Sequence, residues 1–205
     1  MLKTFDLRRV LTALETTGAT SVPLLTESAE QALLQEAVRY QYHREADVVG
    51  SGDRIVRQEM ASFEAFPADS TFLRLRDLLQ EMLRRQVAAC QPYPFDVPLQ
   101  FNSLVLQKYD AGSLGITPHR DGKRYVNLIC VVVLAGRGRF FVCEDRAGRG
   151  AREVEAAPGM AIFMRAPGFL GSQERPFHYV SEIREARYTF GLRQRRADVR
   201  EVARH

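Results

Sequence analysis

The sequence has no tryptophan, only three cysteines, and only three lysines among its 29 basic residues. Cys90, Cys130 and Cys143 are an odd number at wide intervals with no C-x-x-C pair, which argues against a disulfide framework or a cysteine zinc site. Reduced thiols, as in the cytoplasm, are the expectation. Long apolar runs are missing as well. The longest, residues 128–136, covers nine positions, whereas a membrane-spanning helix needs roughly 20. Residues 1–18 mix Lys3, Arg8 and Arg9 with Asp6 and Glu15 and lack the continuous apolar centre of a signal peptide. Neither export nor a membrane partner is expected, and no repeat or low-complexity tract is visible.

What is present suits one domain. With 205 residues, 45% of them hydrophobic, the chain can bury one sizeable core and carry an appendage. The net charge of +4 is compatible with a polyanionic partner such as nucleic acid, through counterion displacement, and equally with a solvated basic surface.

Residues 1–98 read as a helical extension. Ser28-x-x-Gln31 resembles a capping box opening a helix of about four turns, with Leu33, Leu34, Ala37 and Val38 on one face. A second helix runs from Ser70 through Leu75, Leu78, Leu79, Met82, Leu83 and Val87, an apolar stripe that should pack on a sheet. Between them, residues 48–67 carry a Gly50-Ser51-Gly52-Asp53 turn and form either a substrate lid or a plain connecting hairpin. Pro92, Pro94 and Pro98 then make residues 91–98 an extended link.

From residue 99 the apolar period shifts towards two, with strands expected over 101–109, 125–134, 139–143 and 161–164 and turns between them. Short strands at regular spacing indicate a small sandwich or barrel over residues 99–194, followed by a tail at 195–205. The fold class is therefore α+β, with the N-terminal helices packed on the sheet.

The chemistry concentrates in the β-rich half, which holds two of the three His outside the C-terminus, His119 and His178. In a strand, residues i and i+2 face the same way, so His119 and Asp121 can reach one metal ion together. His178 can complete a two-His-one-carboxylate facial triad, which leaves open sites for other ligands. Chance alone produces ~0.2 His-x-Asp matches in such a chain, so the surroundings decide. Arg187, Thr189, Gly191 and Arg193 share one face of a strand nine residues beyond His178. Two arginines turned into a barrel need an anion, and a dicarboxylate such as 2-oxoglutarate matches the guanidinium fork.

Taken together, Phe101-Asn102-Ser103-Leu104, Gln107-Lys108-Tyr109, Gly112, His119-Arg120-Asp121, His178 and the run from Arg187-Tyr188 to Arg193-Gln194 resemble the catalytic core of AlkB-like Fe(II)/2-oxoglutarate dioxygenases. The resemblance implies a double-stranded β-helix of the jelly-roll or cupin kind. It implies Fe(II) on His119, Asp121 and His178, and 2-oxoglutarate on Arg187 with help from Arg193 and Tyr109. It also implies O2 as co-substrate and oxidation of a C–H bond with release of succinate and CO2.

Repair enzymes of that family carry acidic residues after the His-x-Asp triplet, where this chain has Gly122 and Lys123. Lys123 and Arg120 are the substrate-side candidates, and a lysine there disfavours a cationic methylated base. Gln107 replaces an asparagine, and the spacing from His178 to Arg187 is shorter than in repair enzymes. Three functions follow: an oxygenase acting on a protein side chain or small metabolite, an oxidative dealkylase of nucleic-acid bases, or a barrel that binds metal and anion without turnover.

Overall fold

In the computed structural model, residues 1–196 are described. The N-terminal part contains α1 (Leu7–Thr17), β1 (Ala19–Pro23), α2 (Glu27–Ala37), β2 (His43–Arg44), β3 (Val48–Val49), β4 (Val56–Arg57), β5 (Ala61–Phe63) and α3 (Thr71–Ala88). The remainder is β6 (Ser103–Tyr109), β7 (Ile116–His119), β8 (Tyr125–Ala135), β9 (Arg139–Cys143), β10 (Arg152–Val154), β11 (Met160–Arg165), β12 (Phe177–Ser181) and β13 (Arg187–Arg195).

Two sheets carry the architecture, one ordered β1-β11-β8-β13-β6-β5-β2 and the other β10-β9-β12-β7. From β6 onward the chain crosses repeatedly between them and leaves four strands in each, with every neighbour antiparallel. This is the jelly-roll arrangement expected of a double-stranded β-helix. β8 shows why its sequence is apolar without interruption. Leu128, Cys130, Val132 and Leu134 face the helices, while Ile129, Val131 and Val133 face the second sheet. A strand covered on both sides has no polar face.

The helices form a third layer on the outside of the larger sheet. Leu75, Leu79, Leu83 and Val87 of α3 are buried as the stripe predicts, Met82 is half-buried and Leu78, contrary to expectation, is exposed, and Ser70 caps the helix by accepting from the Phe72 N–H. Each such side chain contributes roughly 1.5–3 kcal/mol of burial. Phe72 closes against Phe190 of β13, ring centroids 4.9 Å apart.

Several expectations are corrected. The α2 cap is Thr26, whose hydroxyl accepts from Ala29 N–H, so the box on Ser28 and Gln31 does not form. The helix has 11 residues, about three turns, and Val38 lies beyond it, 54% exposed. α1 was not anticipated: Asp6 caps it, Gly18 ends it in the left-handed region, and only Leu7, Val10 and Leu14 are buried, a thin stripe among charges. The segment 1–98 also supplies strands to the larger sheet, because β1 pairs with β11 and β5 with β6. Residues 48–57 form the hairpin β3–β4, which lies along β7 through Arg57 N–H donating to Thr117 Oγ1 at 2.9 Å. Strand β13 runs through Arg195, and the tail from residue 197 on lies outside the described residues. Among the described residues no helix is long and apolar enough to cross a membrane.

Candidate active site

The smaller sheet brings two histidines together from 59 positions apart. β7 and β12 are antiparallel neighbours, and His119 lies directly opposite His178 in the register, ring centroids 4.3 Å apart. Gly115 makes this approach possible, because at its φ of +80° an added Cβ would meet Val180 O at 2.1 Å. His119 Nδ1 donates to Thr117 O at 3.0 Å and His178 Nδ1 donates to Pro176 O at 3.2 Å. A carbonyl can only accept, so both rings are held in the tautomer that leaves Nε2 free as a ligand.

Asp121 is not in the strand, contrary to the period-two argument, because β7 stops at His119. The following loop is fixed instead by Arg175, whose Nη1 donates to the Asp121 carbonyl. The carboxylate is thereby turned to the histidines, with Oδ2 3.5 Å from His178 Nε2 and Oδ1 accepting from Arg193 Nε at 3.2 Å. Asp121 Oδ2 is buried and receives no hydrogen bond. Among the described residues no three His, Cys, Asp or Glu side chains stand in finished metal-binding geometry.

Burial and neighbouring charge set the protonation of the three groups. Burial lowers the His119 pKa to about 3, helped by the His178 charge, and burial also lowers that of His178, so both imidazoles are neutral near pH 7. Burial works to raise the Asp121 pKa, but the positive charge of Arg193, with smaller effects from His178 and His119, overcomes it and keeps the carboxylate ionised.

The second half of the site lies on β13, inside the larger sheet between β6 and β8. Arg187 pairs with Tyr109 in the register, and Arg187, Thr189 and Arg193 line one narrow cavity together with Tyr109, His119 and His178. Arg187 is 1% exposed, forms no ion pair among the described residues, and its Nε and Nη2 have no hydrogen-bond partner. Burial pushes its pKa down to about 10. Thr189 Oγ1 is likewise buried and unpartnered. Sequence reasoning placed Thr189 on the Arg187 face but gave no role to it, to Arg175 or to Gly138. The first follows from the same alternation that exposed Arg187. A Cβ at Gly138 would lie 2.9 Å from Arg187 Cδ, a contact that only the fold reveals.

The substrate-side candidates are placed outside the cavity. Arg120 stacks its guanidinium 4.0 Å over the Phe177 ring, and Lys123 is exposed on the loop that follows Asp121. Tyr40, Tyr42, Phe63 and Phe66 pack on one another and on Phe72, Tyr188 and Phe190.

The sequence matches no protein-family model and no curated protein. Solved structures do resemble it. A prolyl-4-hydroxylase from Pseudomonas putida is 14% identical with a TM-score of 0.67, over 93% of this chain and 99% of that one. A prolyl hydroxylase from Trichoplax adhaerens, solved with a peptide fragment of the hypoxia inducible factor oxygen degradation domain, is 13% identical with a TM-score of 0.68, over 99% and 98%. A 2OG-Fe(II) oxygenase family protein from Burkholderia pseudomallei is 14% identical with a TM-score of 0.57, over 94% and 91%. At these identities the likeness establishes a shared fold.

Proposed function

We propose that this chain is an Fe(II)/2-oxoglutarate-dependent dioxygenase that oxidises a C–H bond of a protein side chain or small metabolite. The observation that carries the reading is Arg187. A guanidinium sealed in a barrel with no counter-charge is unfavourable by several kcal/mol, and its two free groups, Nε and Nη2, form the side-on fork that grips a carboxylate bidentately. That fork shares a cavity with His119 and His178. The full-length likeness to 2-oxoglutarate oxygenase structures supports the same reading.

His119 Nε2, His178 Nε2 and the Asp121 carboxylate fit a divalent iron, since two neutral imidazoles and one ionised carboxylate are the donor set of an open facial site. Asp121 Oδ2, buried without a donor, is the orphaned atom that a cation would satisfy. Arg187, with the Tyr109 hydroxyl and Thr189 Oγ1, would hold the far carboxylate of the oxoacid. When bound, iron and oxoacid supply oxidation of an unactivated C–H bond by O2, with succinate and CO2 as co-products. The protein's share is positioning and exclusion of water. Phe140 stacks beside His178 at 5.7 Å, and Val131, Met164 and Val180 complete the apolar wall. The cavity measures about 30 Å³, room for about one water, so oxoacid entry requires a side chain to move. Arg193, a long side chain that lines the cavity and donates to Asp121 Oδ1, is the candidate.

The AlkB-like subtype, with nucleic-acid bases as substrate, has weaker support. The aromatic residues available to clamp a flipped base are packed in the core instead, and Lys123 and Gly122 stand where acidic residues would face a cationic base. The Trichoplax relative was solved with a peptide, which favours a protein substrate here. The three free thiols suit a cytoplasmic setting.

The test is succinate release from 2-oxoglutarate by protein loaded with Fe(II) under anaerobic conditions and then exposed to O2, in wild type and His178→Ala. Turnover that disappears in the variant is expected. Failure of the wild type to bind either iron or the oxoacid would overturn the proposal, and binding of both without turnover by any substrate would leave the non-catalytic barrel.

A further inference from the structure

A cleft of about 690 Å³ lies beside the His119 and His178 end of the two sheets, a size in the range of small-molecule and peptide-anchor sites. Its walls include Arg120, Arg152, Arg165 and Arg175, with Phe177 between them and Glu144 and Glu174 also contributing. Two of these arginines are committed to the fold. Arg165 donates to Glu15 O at 2.9 Å and pairs with Glu174, and Arg152 donates to Ala19 O at 3.1 Å.

The other two wall arginines, Arg120 and Arg175, are not neutralised, nor is Arg146, which does not line the cleft but reaches the Phe177 ring in its wall. Arg120, Arg146 and Arg175 form no ion pair with any carboxylate among the described residues, although Glu144 is near enough to share the cleft. Arg120 and Arg146 both stand over the Phe177 ring, at 4.0 and 5.7 Å from its centroid. Arg146 Nη1 is shielded from water and bonded to nothing. Guanidiniums gathered around one ring without a counter-ion repel one another, and an anion in the cleft reverses the sign of that interaction.

Resting on the dioxygenase reading, we propose that this cleft is the substrate-recognition site and binds a carboxylate side chain of an acidic peptide. Arg120 lies between two metal-ligand candidates and Arg175 holds the Asp121 backbone. The cleft therefore adjoins the loop that carries the metal-ligand candidate Asp121. A polyphosphate backbone suits the cleft less well. Phe177, the aromatic residue lining the cleft, already carries Arg120, which removes the stacking platform that single strands use.

Isothermal titration with a capped glutamate-rich decapeptide, the same peptide with glutamine for glutamate, and a ten-nucleotide oligo(dT) tests this in wild type, Arg120→Gln, Arg146→Gln and Arg84→Gln. Arg84 is an exposed charge-matched control on α3. The glutamate peptide should bind wild type at least tenfold more tightly than the glutamine peptide. Arg120→Gln and Arg146→Gln should each lose at least fivefold, and Arg84→Gln should stay within twofold. Equal affinity for the two peptides, no binding by either, or preferential oligo(dT) binding lost in the same variants would overturn the proposal. The wild-type peptide comparison stands even if a variant misfolds. Mn(II) and 2-oxoglutarate titrated separately into the same samples report on the dioxygenase reading alone, so each can fail while the other survives.

Discussion

Replacing Arg187 by methionine removes the group on which the cofactor assignment depends and should raise the stability of the ligand-free protein. Burial brings the Arg187 pKa from its ordinary value down to about 10, equivalent to about 3 kcal/mol against the charged form. Methionine keeps the aliphatic stem and discards the charge, at a packing cost of about 1 kcal/mol for the space left by the guanidinium. The net gain is roughly 1–2 kcal/mol, which for a domain of this size raises Tm by roughly 3–6 °C. In wild type, 2-oxoglutarate at a hundred times its Kd should stabilise by about 2.7 kcal/mol, and in Arg187→Met it should do nothing. Differential scanning fluorimetry with and without the oxoacid reads both effects. A variant that melts below ligand-free wild type, or still shifts with 2-oxoglutarate, would refute the reasoning, because the guanidinium would then be satisfied by the protein itself.

Acid should unfold the metal-free protein from an unusually high pH. The folded-state pKa values of His119 and His178 are depressed, so the unfolded chain takes up protons first as pH falls through about 6.5. Stability is fully present above that pH and declines down to about 3 for His119, by up to about 1.4 kcal/mol per pH unit for each histidine. Urea midpoints at pH 7 and pH 5 check this, and equal midpoints would contradict it. Gly115→Ala forces a Cβ to 2.1 Å from Val180 O at a positive φ. It should cost about 2 kcal/mol or more and weaken Mn(II) binding by separating His119 from His178, and calorimetry showing unchanged metal affinity would count against that geometry. Phe72→Ala, on the far side of the larger sheet, should cost about 3–5 kcal/mol in denaturant titrations while leaving 2-oxoglutarate affinity intact in the folded fraction. A lost affinity there would mean that the helical layer shapes the cavity.

Local periodicity determined much of this protein. Leu75, Leu79, Leu83 and Val87 of the α3 stripe can be buried together only as a helix, and the uninterrupted apolar run of β8 requires cover on both faces. The alternation Arg187, Thr189, Gly191, Arg193 places both guanidiniums on one face of β13 whatever its neighbours are. Other features depend on contacts distant in sequence, and no local pattern contains them. His119 meets His178 because β7 and β12 are paired, and Asp121 joins them from a loop that an arginine 54 positions later holds in place. Thr26 rather than Ser28 caps α2, because the backbone entering that helix is set by the bridge between Leu2 and Leu25. α1 was legible, since Leu7, Val10, Leu11 and Leu14 stand at helical spacing between the caps Asp6 and Gly18, whereas the five residues of β1 are fixed by the sheet they complete. The absence of a counter-ion at Arg187 is likewise a tertiary fact. Sequence shows that an arginine turns inward, but only the placement of its neighbours shows that none of them among the described residues is an acid.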